Sequence, residues 1–381
     1  MSDEAEDDIL AEDGPRSALS GVALRAIKDG DLLRARDMLQ AGQRDADESA
    51  AILYVKLLDQ LNDHAAVQAT VSEMVTLLPA RQDRSDEYIA FVLRRAEAEC
   101  LPTAVIGEAL DFVSRLKLSA GELDQAYRAT CRRQKFRVSR APRAARVTFI
   151  SLGTRCLPWA LPNRWGLRSA DQFVYAYNPF SQAVHRMSGI VDALRTDFAT
   201  YMAPDEIGLQ KSAKGHPVVY RKDRGAVWNH FKNAFWIRDD YREFRAVQQH
   251  AIENFRRCCR DERPVFILGH VTAEYPDEEI PMLQELQDAL RVATGREHNH
   301  LLITNQRSTD VVAQRPSVID SHTVFANVPY PKTDKRNYDY ARSSNINSTE
   351  GFAFERRYVK VILGSLHRWR LLEAAQDTAK P

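Results

Sequence analysis

No run in this 381-residue chain approaches the roughly 20 consecutive apolar residues that carry a helix across a bilayer. The N-terminus, with only acidic charges between Ser2 and Asp13, lacks the basic and apolar regions of a secretory signal. A cytoplasmic protein with no membrane span is the expectation. Net charge is also lacking: 53 Lys+Arg against 52 Asp+Glu gives no broad field to attract nucleic acid or a membrane surface. The five cysteines, Cys100, Cys131, Cys156, Cys258 and Cys259, are odd in number and show no CxxC spacing, which fits reduced thiols rather than a disulfide framework or a zinc site. Vicinal Cys258 and Cys259 lie in a helical, arginine-rich stretch and read as structural. No GxxxxGK[ST] and no GxGxxG occurs, so an ATPase or dinucleotide enzyme is disfavoured. His298 and His300 share a strand face, yet no carboxylate or cysteine cluster accompanies them, and neither a metal nor a cofactor is expected.

What is present divides into four parts. Residues 1–16 read as a disordered acidic tail. Residues 17–134 are almost all helical in pattern, with turn residues at Asp29-Gly30-Asp31, Asn62-Asp63 and Cys100-Leu101-Pro102 spaced like helical hairpins. Three degenerate units similar to tetratricopeptide repeats fit this region, although the signature aromatic and proline positions are largely absent. A plain helical bundle fits equally. The repeat reading implies a docked protein partner. Residues 135–146 form a basic linker around Pro142, and a solvated connector is favoured over an arm for phosphate groups or anionic lipid.

From 147 to 381 apolar strands alternate with amphipathic helices. Strands are expected at 147–152, 173–177, 218–221, 264–269, 300–304 and 324–328, and helices at 241–260 and 280–294. Such alternation implies a three-layer α/β domain with a mostly parallel sheet, preceded by the all-α domain. Ligands of these sheets bind at the carboxyl ends of strands. Gly153 permits a tight reversal after the first strand, and Cys156 follows it at the start of a helical pattern, where N–H groups favour a thiolate. His270 and Asn305 also follow strand ends and are candidate substrate contacts. A thiol nucleophile needs a histidine, and sequence order alone does not choose among ten.

The block Phe149-Ile150-Ser151-Leu152-Gly153-Thr154-Arg155-Cys156, followed by Gly166-Leu167-Arg168, resembles the opening of a bacterial domain family of uncharacterised function labelled a papain-like cysteine peptidase. The resemblance continues through Asp197-Phe198, Tyr220, Trp228-Asn229-His230-Phe231, Phe255-Arg256-Arg257 and Val265 to Leu268, covering about Arg146 to Asn305. It implies Cys156 as nucleophile and His230 as its base. The family's Pro-Phe-Asp-Trp element stands here as Gln172-Phe173-Val174-Tyr175, so the acid that would orient a histidine is missing; Asp171 or Asn229 is the substitute within the segment. Backbone N–H groups from Gly153 through Thr154 to Arg155 would hold the oxyanion.

These readings converge on a cysteine-dependent hydrolase or acyltransferase acting on an acyl, peptide or glycan substrate. Two alternatives remain open: a glycan-related transferase binding a nucleotide sugar, and a non-catalytic adaptor with a degenerate enzyme domain, which the missing acid favours. The sequence Asp320-Ser321-His322 looks like a fragment of a hydrolase triad, but a serine flanked by its partners cannot align with both, so it reads as a loop.

Overall fold

The computed structural model describes residues 18–42, 48–80, 84–153, 156–211, 217–223, 225–231, 234–270, 280–305, 316–331 and 343–373. The acidic tail at 1–16 and the expected oxyanion contacts Thr154 and Arg155 lie outside them. The described residues open with α1 (Ala18–Lys28), α2 (Leu32–Gly42), α3 (Glu48–Gln60), α4 (His64–Leu77), α5 (Asp86–Ala98), α6 (Thr103–Val113) and α7 (Glu122–Ser139). Three hairpins reverse where expected, each at a residue of positive φ: Gly30 (75°), Asn62 (56°) and Cys100 (54°). Left-handed backbone there ends one helix and redirects the chain into the next. Asp63 then caps α4 by accepting from the Ala66 N–H at 3.1 Å.

The basic stretch expected as a linker is mostly helix. It carries α7 on to Ser139 and passes through a 3₁₀ turn at Ala141–Ala144. Nor is it solvated throughout: buried Arg137 donates to the carbonyls of Glu97 (3.1 Å), Asn163 (3.3 Å) and Arg164.

The second part follows as β1 (Thr148–Ser151), α8 (Leu157–Arg164), α9 (Ala170–Ala176), β2 (Val184–His185), α10 (Met187–Arg195), β3 (Ile207–Lys211), β4 (Pro217–Arg221) and β5 (Ala226–Trp228). It continues with α11 (Arg238–Arg260), β6 (Pro264–His270), α12 (Ile280–Thr294), β7 (His300–Asn305), β8 (Ser317–Val318), β9 (Thr323–Asn327), α13 (Ser343–Ile346) and α14 (Thr349–Arg368). A five-stranded sheet has the order β1-β6-β7-β9-β8, parallel except for the β8 edge. Its strands are apolar on both faces, and side chains alternate between two cores. Ile150, Phe266, Leu268 and Ile303 join a core shared with α11, α12 and the N-terminal helices. Phe149, Val265, Ile267 and Leu302 join a second core with α8 and α14. The chain is therefore a three-layer α/β domain preceded by a helical region that packs onto the sheet through a continuous core.

Two expected strands belong elsewhere. Residues 173–177 fall in and just after helix α9, because Ser169 and Gln172 form a reciprocal capping box, Gln172 N–H to Ser169 Oγ at 3.2 Å and Ser169 N–H to Gln172 Oε1 at 3.1 Å. Residues 218–221 form β4 of a separate antiparallel sheet, β2-β5-β4-β3, inserted between β1 and β6. Among the described residues no helix is long and apolar enough to cross a membrane.

Candidate active site

The inserted sheet delivers a histidine to the end of β1. Gly153 turns at φ 35° directly over His185 of β2; a Cβ there would meet His185 Cβ and Nδ1 at 2.9 Å. Only glycine fits the turn. Cys156 is then the N-cap of α8, its carbonyl accepting from the N–H groups of Trp159 (3.0 Å) and Ala160 (2.9 Å). His230 follows β5, anchored beside the fully buried Trp228 and Phe231. The Cys156 Sγ lies 3.6 Å from His230 Nε2. The thiol is buried, 6 % exposed, and the histidine half-buried.

Arg168 holds this arrangement from below. It is buried and donates to the carbonyls of Phe149 in β1 (2.8 Å) and Trp159 in α8 (3.2 Å) and to Asn163 Oδ1, and its guanidinium lies 4.4 Å from the Trp159 ring centroid. Strand and helix on either side of the cysteine turn are thus tied to one cation. Burial pulls its pKa down to about 10, which leaves it charged at neutral pH.

The helical region forms the other wall. Asp59, at the end of α3, accepts from Arg95 Nη1 at 3.2 Å. Burial pushes its pKa up, but Arg95, His64 and His230 outweigh that and hold the carboxyl below its ordinary range. Arg95 also reaches Glu99 at 2.6 Å, and burial pushes Glu99 up to about 7. His64, first residue of α4, is 6 % exposed, and neither ring nitrogen has a hydrogen-bond partner among the described residues. Its ring packs 4.4 Å from Tyr177, 5.5 Å from Phe173 and 6.0 Å from Trp159. Burial pulls it down to about 4, so it is neutral. Burial, with Cys156 and Asp59 adding to it, also raises the Tyr177 phenol. Gln68 fastens the walls together, donating from Nε2 to the carbonyls of Glu99 (2.8 Å) and Ala170 (3.2 Å).

Residues 147–307 match the family model described as "Putative papain-like cysteine peptidase". The match covers under half of the chain, omits the helical region, and contains Cys156, His230 and Arg168. No curated protein and no solved structure matches the chain. Within the matched segment β1, β6 and β7 are parallel neighbours, and the antiparallel sheet is inserted between β1 and β6.

Of the other expected contacts within the family segment, Asn229 neighbours His230 and its buried Oδ1 has no partner among the described residues. His270 and Asn305 pair across β6 and β7 in a backbone row that continues to Asn327, where Asn305 donates to Asn327 Oδ1 at 2.8 Å. That row lies along the carboxyl edge of the sheet, beside the end of β1. Asp171 is exposed in the first turn of α9, where its charge suits the helix N-terminus. No contact joins it to His230 among the described residues. Val174, where the family has the acid, packs partly buried against the core.

Sequence reasoning missed Asp59, His64, Arg95 and the clamp of Arg168. The one local signal is that Asp59 and His64 flank the Asn62-Asp63 reversal, which places them at one end of a hairpin. His298 stacks on His322 at 4.4 Å, and among the described residues no group of three metal-type side chains converges. Asp320 Oδ1 accepts from the N–H groups of His322 (2.6 Å) and Thr323 (2.7 Å), an Asx turn between β8 and β9. Burial pushes Cys100 and Cys258 up to about 12 and Cys259 higher still.

Proposed function

We propose that the chain is a cysteine-dependent hydrolase or acyltransferase with Cys156 as nucleophile and His230 as base. The observation that carries this reading is the 3.6 Å separation of sulfur and ring nitrogen at a helix N-cap. His230 Nε2 takes the thiol proton, and the sulfur attacks the substrate's acyl carbon. N–H groups of the turn begun by Gly153 receive the carbonyl oxygen as it becomes negative. The proton on Nε2 passes to the departing amine or alcohol, leaving an acyl thioester on Cys156. Water, deprotonated by His230, or an acceptor then attacks the thioester and restores the thiol.

In this reading Asp59 replaces the acid missing at Val174. It stabilises the imidazolium that His230 becomes, as a positioning residue, and Arg95 keeps it ionised. The neutral, unpartnered His64 offers a polar contact to the bound substrate. The adaptor alternative rests on an absent acid, and Asp59 removes its main support.

The test uses a panel of peptide and acyl-ester substrates with mass spectrometry of the intact chain. The expected outcome is an acyl adduct on Cys156 in the wild type, and loss of turnover in Cys156→Ser with an unchanged melting temperature. Full turnover by Cys156→Ser eliminates the covalent mechanism.

A further inference from the structure

Two helices distant in sequence, α7 and α14, frame a groove of about 730 Å³ that Trp165 lines at the C-cap of α8, the end opposite the Cys156 N-cap. From α7 come Arg132, Lys135 and Arg140; from α14 come Arg356, Arg357 and Lys360. The α7 residues recur at spacings of three and five and the α14 residues span four positions, so each helix turns one cationic face to the groove. The floor is aromatic. Trp165 meets Phe136 at 5.2 Å and Phe352 at 5.3 Å, and the Arg132 guanidinium lies 5.5 Å from the Phe352 centroid. Phe136 comes from α7 itself, and Trp165 at the C-cap of α8 and Phe352 of α14 complete the floor.

Charge balance makes this groove unlike its surroundings. Two arginines buried beneath it pair with buried glutamates: Arg133 donates twice to Glu97 (2.9 Å from Nε, 2.7 Å from Nη2), and Arg164 pairs with Glu355, which also accepts from Trp165 Nε1 at 2.9 Å. The six groove cations are exposed, and among the described residues none has an acidic partner. Among the described residues no acid lines the groove. Six like charges held this close repel one another, a cost that an anion entering the groove relieves.

We propose that this groove binds a small ligand carrying two or more phosphate groups. Cations on both walls suit several phosphates at once, since guanidinium and ammonium groups bind phosphate oxygens by charge-assisted hydrogen bonds. The volume is that of a small-molecule cavity. A nucleic-acid strand is the weaker fit, because the chain as a whole carries a net charge of only +1 and offers no extended basic track. The site is separate from the thiol chemistry and does not depend on it.

Calorimetric titration of the full chain with ATP, sodium tripolyphosphate, inorganic phosphate and a single-stranded oligonucleotide tests the proposal. ATP and tripolyphosphate are expected to bind at one site each and more tightly than inorganic phosphate. Binding should weaken by about a hundredfold in Arg356→Glu/Lys360→Glu, taking about tenfold per lost charged contact. Arg132→Ala/Lys135→Ala, on the opposite wall, should weaken it independently, which keeps the test open if the first variant fails to fold. Reversal of exposed Arg25 and Lys28 on α1 should change nothing. Absent binding of both probes, wild-type affinity in both groove variants, or equal weakening by the α1 control overturns the proposal. So does inorganic phosphate binding as tightly as tripolyphosphate, or an oligonucleotide binding more tightly than ATP.

Discussion

The two walls around Cys156 differ in origin and in task. The wall from the family segment supplies the sulfur and the ring nitrogen 3.6 Å away, on backbone fixed by the Gly153 turn and the Arg168 clamp. The wall from the helical region supplies no reacting atom in the proposed mechanism. It contributes a carboxylate held ionised by Arg95 and a histidine held neutral by burial. In the proposed mechanism the family segment thus carries the nucleophile and base and depends on the neighbouring region for its electrostatics. The missing acid at Val174 is then less a sign of decay than of a different source for the charge.

If that division is right, losses on the family wall should be the larger. His230→Ala should slow both turnover and alkylation of Cys156 by iodoacetamide by about 10³-fold, the usual range for a lost general base, with little change in melting temperature. Next comes Arg168→Met. It leaves the Phe149 and Trp159 carbonyls without their donor in a buried place and should cost about 3 kcal/mol or more of stability in denaturant melts. A change under 1 kcal/mol would mean the clamp does not hold the turn.

On the helical wall, His64 ties the site to pH. Its folded pKa of about 4 lies below the value of 6.5 expected when unfolded. Between these values the unfolded chain binds a proton that the folded chain refuses, so stability falls as pH drops from 6.5 towards 4 and is insensitive to this group above 6.5. The loss amounts to about 3 kcal/mol at pH 4, taking 1.36 kcal/mol per unit. His64→Phe preserves the ring packing and should flatten that part of the pH profile. His185, pulled down by burial to about 3, and His300, to about 4, leave a residual slope of the same sign.

How much of this is legible in the sequence depends on the range of the forces involved. The parallel strands at 264–270 and 300–305 can be read because both faces are buried and the runs are wholly apolar. Helix α12 can be read to its ends from its amphipathic spacing. At 173–177 the β-branched and aromatic run misleads, since a capping box at Ser169 and Gln172 outweighs its strand preference. The pairing of Cys156 with His230, 74 positions apart, is accessible through the family motif and not through any periodicity. Asp59 offers only its place beside the Asn62-Asp63 reversal: it lies outside the family segment, on a helix whose polar positions look like ordinary solvated ones. The basic run shows the same limit, because Trp165 and Phe352 of its aromatic floor and its second cationic face come from the end of α8 and from α14.

The smallest expected effect separates the two walls most sharply. Asp59→Asn keeps the shape of the side chain and removes its charge. The carboxylate acts on the imidazolium form of His230 and not on substrate, so kcat should fall by about tenfold while KM stays within about twofold. The acidic limb of the rate profile should move to lower pH, because a histidine without a nearby negative charge gives up its proton more readily. Asp59→Glu should restore most of the rate. A purely structural role, bracing Arg95 at the α3–α5 contact, predicts a lower melting temperature with the pH profile unmoved. That result would return the helical wall to the status of a scaffold.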